Sequence, residues 1–175
     1  DEKTIDVNSA LWFFCALFFE TGYHHAKHKY TTVEVQTPPE IDGFLDDEAW
    51  DTVPWEGGFQ MFEPYDNRPP SQETRFKVVF DKENIYVAIR AFDTAPDSIV
   101  SRLTRRDEID GDMVAFQFDS YQDLQTAFTF LVSAAGSRAD FFVSSDGENE
   151  DETWNAIWWT KTQIDDQGWT MEAKI

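Results

Sequence analysis

From Thr31 onward, apolar residues return at every second position in short runs broken by turn residues, the pattern of strands with one face turned inward. TTVEVQ alternates. TRFKVVFD sets Phe76, Val78 and Phe80 on one face. NIYVAIRAF sets Ile85, Val87, Ile89 and Ala91 on one face and Tyr86, Ala88 and Phe92 on the other, which predicts a central strand. Asp81-Lys82-Glu83-Asn84 between these two runs has the length of a hairpin loop, so they should pair antiparallel. DMVAFQFDS, with Val114, Phe116 and Phe118 inward, TAFTFLVSA and SRADFFVSS then predict a meander of consecutive strands. WNAIWWTKTQI and GWTMEAKI flank the turn Asp165-Asp166-Gln167-Gly168, and Trp169, Met171, Ala173 and Ile175 alternate with Thr170, Glu172 and Lys174. The fold class that follows is all-β: an antiparallel β-sandwich of the immunoglobulin or jelly-roll kind. Two short helical turns are expected, at Asp46 to Thr52 with an Asp as N-cap and at Pro96 to Leu103 with Pro in the first turn. The alternation runs into Ile175, which predicts a sandwich cut short at its C-terminal end.

The first thirty residues break this pattern and are read as an atypical extension, with the domain proper at 31–175. Leu11 to Phe19, LWFFCALFF, is uncharged but much shorter than the roughly 20 residues of a membrane-spanning helix. Two readings fit it: a strand or helix packed on the domain, or an altered targeting segment whose leading residues Asp1, Glu2, Lys3 and Asp6 are net acidic where a signal peptide is basic. His24, His25 and His28 include a pair four apart, as in zinc-binding helices, but without the Glu of a metalloprotease motif; an exposed linker is the simpler account.

Composition narrows the function. With 34 acidic against 14 basic side chains, the formal charge of −20 opposes contact with phosphate backbones, which excludes nucleic acid as a partner. The single Cys15 rules out an internal disulfide framework. No nucleophile elbow, phosphate loop, dinucleotide fingerprint or Cys-His pair is present, and no carboxylate couple stands out for glycoside hydrolysis, so no enzyme is expected.

The order IDGFLDDEAW, FDKENIYVAIRAFD, GDMVAFQFDSYQDLQTAFTFLVSAAGSRAD, WNAIWWTKTQIDDQGWTMEAKI resembles the family 9 carbohydrate-binding module type of β-sandwich. It is more closely similar to the variant called domain of unknown function 5916, found at the N-terminus of large outer-membrane proteins with a C-terminal barrel. The resemblance runs from about Thr31 to Ile175. It implies a non-catalytic carbohydrate-binding accessory domain of a larger cell-envelope protein, exported to the periplasm, outer membrane or cell surface, and attached to a barrel or a glycoside hydrolase. The alternative is an interaction or plug domain of an outer-membrane barrel with no sugar site. In the opening motif, Ile41 is expected to plug the core, Asp42-Gly43 to turn, Asp46 to cap one helical turn, and Trp50 to close one end of the sandwich.

Glycan binding by such modules uses aromatic rings stacked on pyranose faces. In the sugar-binding members, one Trp of the clamp precedes the Asp-x-Val strand start. Here that neighbourhood is RRDEIDGDMV with Ile109, and the place of the second Trp falls beyond Ile175. The stacking candidates that remain are Trp154, Trp158 and Trp159: Trp154 and Trp158 share one face, and Trp159 lies on the other with Ile157. Each is weighed against a place in the core, the commoner fate of a Trp. Structural calcium is also implied for this sandwich group. Its candidate ligands are Asp107, Glu108, Asp110 and Asp112 in one loop and Asp146, Glu148, Glu150 and Asp151 in another, since clustered carboxylates supply hard oxygen ligands. Neither run has EF-hand spacing. Both also suit a solvated acidic loop, the first neutralised by Arg102, Arg105 and Arg106.

Overall fold

The computed structural model describes residues 2–6, 29–61, 64, 68–145 and 147–175. In chain order the elements are β1 (Glu2–Asp6), β2 (Lys29–Val33), a helical turn α1 (Glu48–Asp51), β3 (Thr74–Phe80), β4 (Ile85–Phe92), a 3₁₀ turn (Pro96–Ser98), β5 (Met113–Phe118), β6 (Ala127–Ser133), β7 (Arg138–Ser144), β8 (Asn149–Asp151), β9 (Trp159–Asp165) and β10 (Gly168–Lys174). Leu11 to Phe19, His24, His25, His28 and Asp146 lie outside the described residues.

Two four-stranded antiparallel sheets make the sandwich, ordered β3-β4-β10-β9 and β5-β6-β7-β8. β4 is central, flanked by β3 and β10, as its two apolar faces require. The second sheet is the expected meander of β5, β6 and β7, extended by the unexpected edge strand β8. β1 and β2 form a separate antiparallel pair. β2 also reaches the open edge of β3: the Thr32 hydroxyl donates to the Val78 carbonyl at 2.5 Å, and the Val35 amide donates to Phe80 O at 2.8 Å. That covering removes part of an exposed strand edge.

Between the sheets lie Phe76, Val78, Val87, Ile89, Trp169, Met171 and Ala173 from the first and Val114, Phe116, Phe130 and Val132 from the second, all buried. Phe116 stacks on Phe130 at 5.3 Å, and the Trp158 ring meets both edge-on. Each of the larger of these side chains contributes roughly 1.5–3 kcal/mol through the water it leaves. The Thr162 hydroxyl, on the inner side of β9, donates across to the Ala134 carbonyl at 3.1 Å.

Several expectations are corrected. The helical turn is Glu48–Asp51 with Asp47, not Asp46, at its N-cap, and no side-chain cap bond forms; the Asp47 carboxylate instead accepts from the Glu40 amide at 3.1 Å. The second helical spot is only the Pro96–Ser98 turn. The strand expected from Trp154 begins at Trp159, because residues 154–158 cross over to β7, where Asp140 takes their polar groups. Glu150 and Asp151 belong to the edge strand β8, not to a loop. Trp50 does not close an end of the sandwich. It lies on the outer face of the first sheet, where a third layer, the strap of residues 40–55, covers the strands.

Candidate functional site

The outer face of the first sheet is unlike the inner one. The five basic residues of its strands, Arg75, Lys77, Arg90, Lys161 and Lys174, all point outward in register rows: Arg75 beside Arg90 beside Thr170 beside Gln163, and Lys77 beside Ala88 beside Glu172 beside Lys161. The strap laid over part of this face carries Asp42, Asp46, Asp47, Glu48 and Asp51. An acidic strap beside a basic sheet face places opposite charges near one another, Asp51 acting on Lys77.

Two groups anchor the strap. The Glu172 carboxylate, 0 % exposed, accepts from the Asp42 amide at 3.1 Å, the Gly43 amide at 2.8 Å and the Trp50 indole Nε1 at 2.8 Å. Burial pushes its pKa up to about 7, against the pull of those donors. The buried Lys77 ammonium donates to the Trp50 carbonyl at 2.5 Å and lies 4.8 Å from the Trp55 ring centroid; burial lowers its pKa. The Asp42-Gly43 carbonyls are held too, by Gln163 Nε2 at 3.4 Å and by the Thr170 hydroxyl at 2.6 Å. Gly43 has φ +95°, and a Cβ there would lie 2.9 Å from Gln163 Cγ and 3.0 Å from the Thr162 carbonyl carbon, so only glycine lets the strap press this closely on β9.

Beside the pressed turn opens a cleft of about 380 Å³, walled by Phe44, Trp55 and Phe92 and floored by Arg75, Arg90 and Gln163. Phe44 is 53 % exposed and Trp55 36 %. Both guanidinium groups lie against the Phe92 ring, Arg90 at 5.3 Å and Arg75 at 5.5 Å from its centroid. Arg90 is also bidentate to Asp165 at 2.6 and 2.7 Å, which holds that carboxylate below its usual pKa. Exposed rings beside planar hydrogen-bonding groups can hold a ring-shaped, hydroxylated ligand. A second hollow, about 420 Å³ at the Asp81 to Asn84 hairpin and Ile175, has Phe80 as its one aromatic.

The residues singled out in the sequence sit elsewhere. Trp158 is 1 % exposed, with Nε1 donating to Asp140 at 3.0 Å. Trp154 is half-buried against Phe128 and Phe130. Trp159 is 52 % exposed beside Ile157, with the Lys174 ammonium 5.5 Å from its ring centroid. In the first acidic loop Asp110 pairs with Arg102 at 3.0 Å, Asp107 lies 3.6 Å from Arg106 Nε, and Asp112 accepts from the Val100 amide at 2.7 Å. Asp151 accepts from the Thr153 amide and hydroxyl, and Glu148 and Glu150 are exposed. Among the described residues no three His, Cys, Asp or Glu are grouped as a metal centre requires; Asp146 of the second set lies outside them.

The cleft escaped the sequence reading because its walls come from distant segments and none has motif spacing. The one available signal was Phe44, an apolar residue in an acidic turn.

In a search of solved structures, a carbohydrate binding module family 9 (CBM9) from Caldicellulosiruptor kristjanssonii in complex with glucose superimposes with a TM-score of 0.57 at 19% identity, covering 82% of this chain and 66% of that one. The fold is similar to that of this family 9 carbohydrate-binding module. The same module in complex with cellotriose gives the same values. This chain therefore spans 66% of the length of those modules. No protein-family model matches the sequence, and no curated protein matches it. The clamp neighbourhood of the resemblance lies in the loop before β5, where Ile109 is half-buried.

Proposed function

We propose that this domain is a non-catalytic glycan-binding module that holds a neutral sugar in the cleft between the strap and the outer face of the first sheet. The observation that carries this reading is the convergence of Phe44, Trp55 and Phe92 with Arg75, Arg90, Gln163 and Asp165 in one opening. Rings cover the apolar face of a pyranose while guanidinium, amide and carboxylate groups take its hydroxyls. The charge of −20 favours a neutral over an anionic glycan. The sugars held by the structural neighbours, glucose and cellotriose, are the first ligands to try. Isothermal titration with both and with a wider panel of soluble glycans, with and without calcium, tests it. Binding that disappears in Phe44→Ala and Trp55→Ala supports the reading, and absence of heat with every sugar overturns it.

The setting we propose, an exported accessory domain of a larger envelope protein carrying a barrel or a glycoside hydrolase, rests on the resemblance to the domain of unknown function 5916 type. Among the described residues no helix is long and apolar enough to cross a membrane, which leaves a β-barrel partner untouched. A second reading, a protein-interaction domain with no sugar site, draws on the loop between β5 and β6. There Tyr121 and Leu124 are exposed, Leu124 has φ 59°, and the Asp119 and Asp123 carboxylates pin the backbone by accepting its amides. A panel with no glycan hit moves the weight to that loop.

A further inference from the structure

The cleft continues along one edge of the sheet. On β9, Lys161 and Gln163 stand beside Glu172 and Thr170 of β10 on the outer face, and by the same alternation Trp159 and Asp165 share that side. The outer row of this edge strand is therefore Trp159, Lys161, Gln163, Asp165: a ring, an ammonium, an amide and a carboxylate. Gln163 and Asp165 already line the cleft. From Gln163 back to Trp159 the strand spans about 13 Å at the usual rise per residue, farther than one pyranose ring reaches.

This row is open to solvent beyond the strap. The strap meets β9 at its tip, where Asp42 and Gly43 lie against Gln163. Past that contact Lys161 is exposed and the Trp159 ring is 52 % exposed. Lys174, the cross-strand partner of Trp159, places its ammonium over the ring at 5.5 Å from the centroid, which steadies the ring and leaves much of it to solvent. An exposed Trp set in a broad apolar patch would suit a protein contact. Here the neighbours of the ring on the outer face are two lysines, and the exposed apolar residue next to it in the chain beyond buried Trp158 is Ile157.

Resting on the cleft as the glycan site, we propose that Trp159 is a second sugar platform of that site: a neutral oligosaccharide held by one end in the cleft runs along the outer row of β9, past Lys161, and stacks a later ring on Trp159. The ligand class is then a chain of several sugar units rather than a single sugar. Trp159 covers the apolar face of the remote ring, and the Lys161 and Lys174 ammonium groups donate to its hydroxyls. A remote ring on the same chain binds without a second loss of translational freedom, so length converts into affinity.

The test is isothermal titration of the whole domain with glucose, cellotriose and cellohexaose, for wild type, Trp159→Ala and Trp159→Phe, together with the resonances of the Trp159 indole and the Phe44 ring in wild type. Cellohexaose should bind wild type roughly two- to tenfold more tightly than glucose and shift both resonances, Trp159→Ala should remove that gain, and Trp159→Phe should keep part of it. Equal affinity for glucose and cellohexaose, or a gain that survives in Trp159→Ala, overturns the platform and leaves the cleft reading in place. Cellohexaose that shifts the Trp159 indole while the Phe44 ring stays still and glucose gives no heat keeps the platform and overturns the cleft. No binding of any of the three overturns the platform and makes Trp159 with Ile157 a protein contact, whereas the cleft reading falls only with the whole glycan panel.

Discussion

The Trp50 indole donates to the Glu172 carboxylate at 2.8 Å across 122 residues of chain, joining the first motif of the domain to its last described strand. Trp50 is held at its other end by Lys77, so a single residue of the strap is fixed to both β3 and β10. Removing only the indole donor should show what this bond contributes. Trp50→Phe is expected to lose roughly 1–3 kcal/mol in chemical denaturation, because a buried acceptor loses its partner while most of the ring packing stays.

The pH profile of stability follows from two carboxyls with opposite shifts. Glu172 has its folded pKa raised to about 7 from 4.5, so its contribution is complete below about 4.5 and is lost as pH climbs through about 7. At Asp81, desolvation is outweighed by donors from Glu83, Tyr86 and Asn84, which hold the pKa at about 2; its contribution is present above the unfolded value of 3.8 and is lost as pH falls toward about 2. Thermal unfolding should therefore show maximum stability in acidic buffer near pH 4.5 and a decline that is nearly complete by about pH 7. Glu172→Gln should flatten that decline and leave the loss on the acid side, which belongs to Asp81, unchanged.

Adjacent tryptophans should behave differently. Trp158→Ala removes a fully buried ring and one donor to Asp140, an expected loss of about 3–5 kcal/mol, whereas Trp159→Ala should stay within about 0.5 kcal/mol of wild type in urea denaturation.

Asp140 gathers Trp158 Nε1, the Ala156 amide at 2.6 Å and Arg106 Nη2 around a fully buried side chain. Asp140→Ala leaves Trp158 Nε1 and the Ala156 amide without that acceptor and Arg106 Nη2 with only the Ala156 carbonyl at 3.2 Å, and should destabilise by about 3 kcal/mol. Proteolysis should then cut first in residues 154–158, where the crossover depends on that carboxylate.

Gly43→Ala meets β9 and also takes on a left-handed backbone, so it should weaken folding by roughly 1–3 kcal/mol. It should also reduce glycan binding beyond the loss of stability, since the strap can relieve the clash only by lifting from Gln163. Comparing affinity well below the melting temperature separates the two effects.

Period-two burial was legible in the residues themselves. Phe76, Val78, Val87, Ile89 and Met171 announced their faces, the short polar links announced antiparallel neighbours, and both follow from the geometry of an extended chain, which is a local property. Which apolar or charged positions are covered is not local. Glu172 and Lys77 alternate like solvent-facing residues, yet both are buried because the strap, more than twenty residues away from Lys77 and over a hundred from Glu172, closes over them. Alternation puts Trp154 and Trp158 on one face and Trp159 on the other, but the crossover to Asp140 sorts them into half-buried, buried and open. The sequence by itself determined most of the strands, the pairing of those joined by short turns and the sandwich class. The tertiary structure decided the third layer, the charge that lies beneath it and the cleft at its edge, because these arise where distant segments meet and compete for the same sheet face.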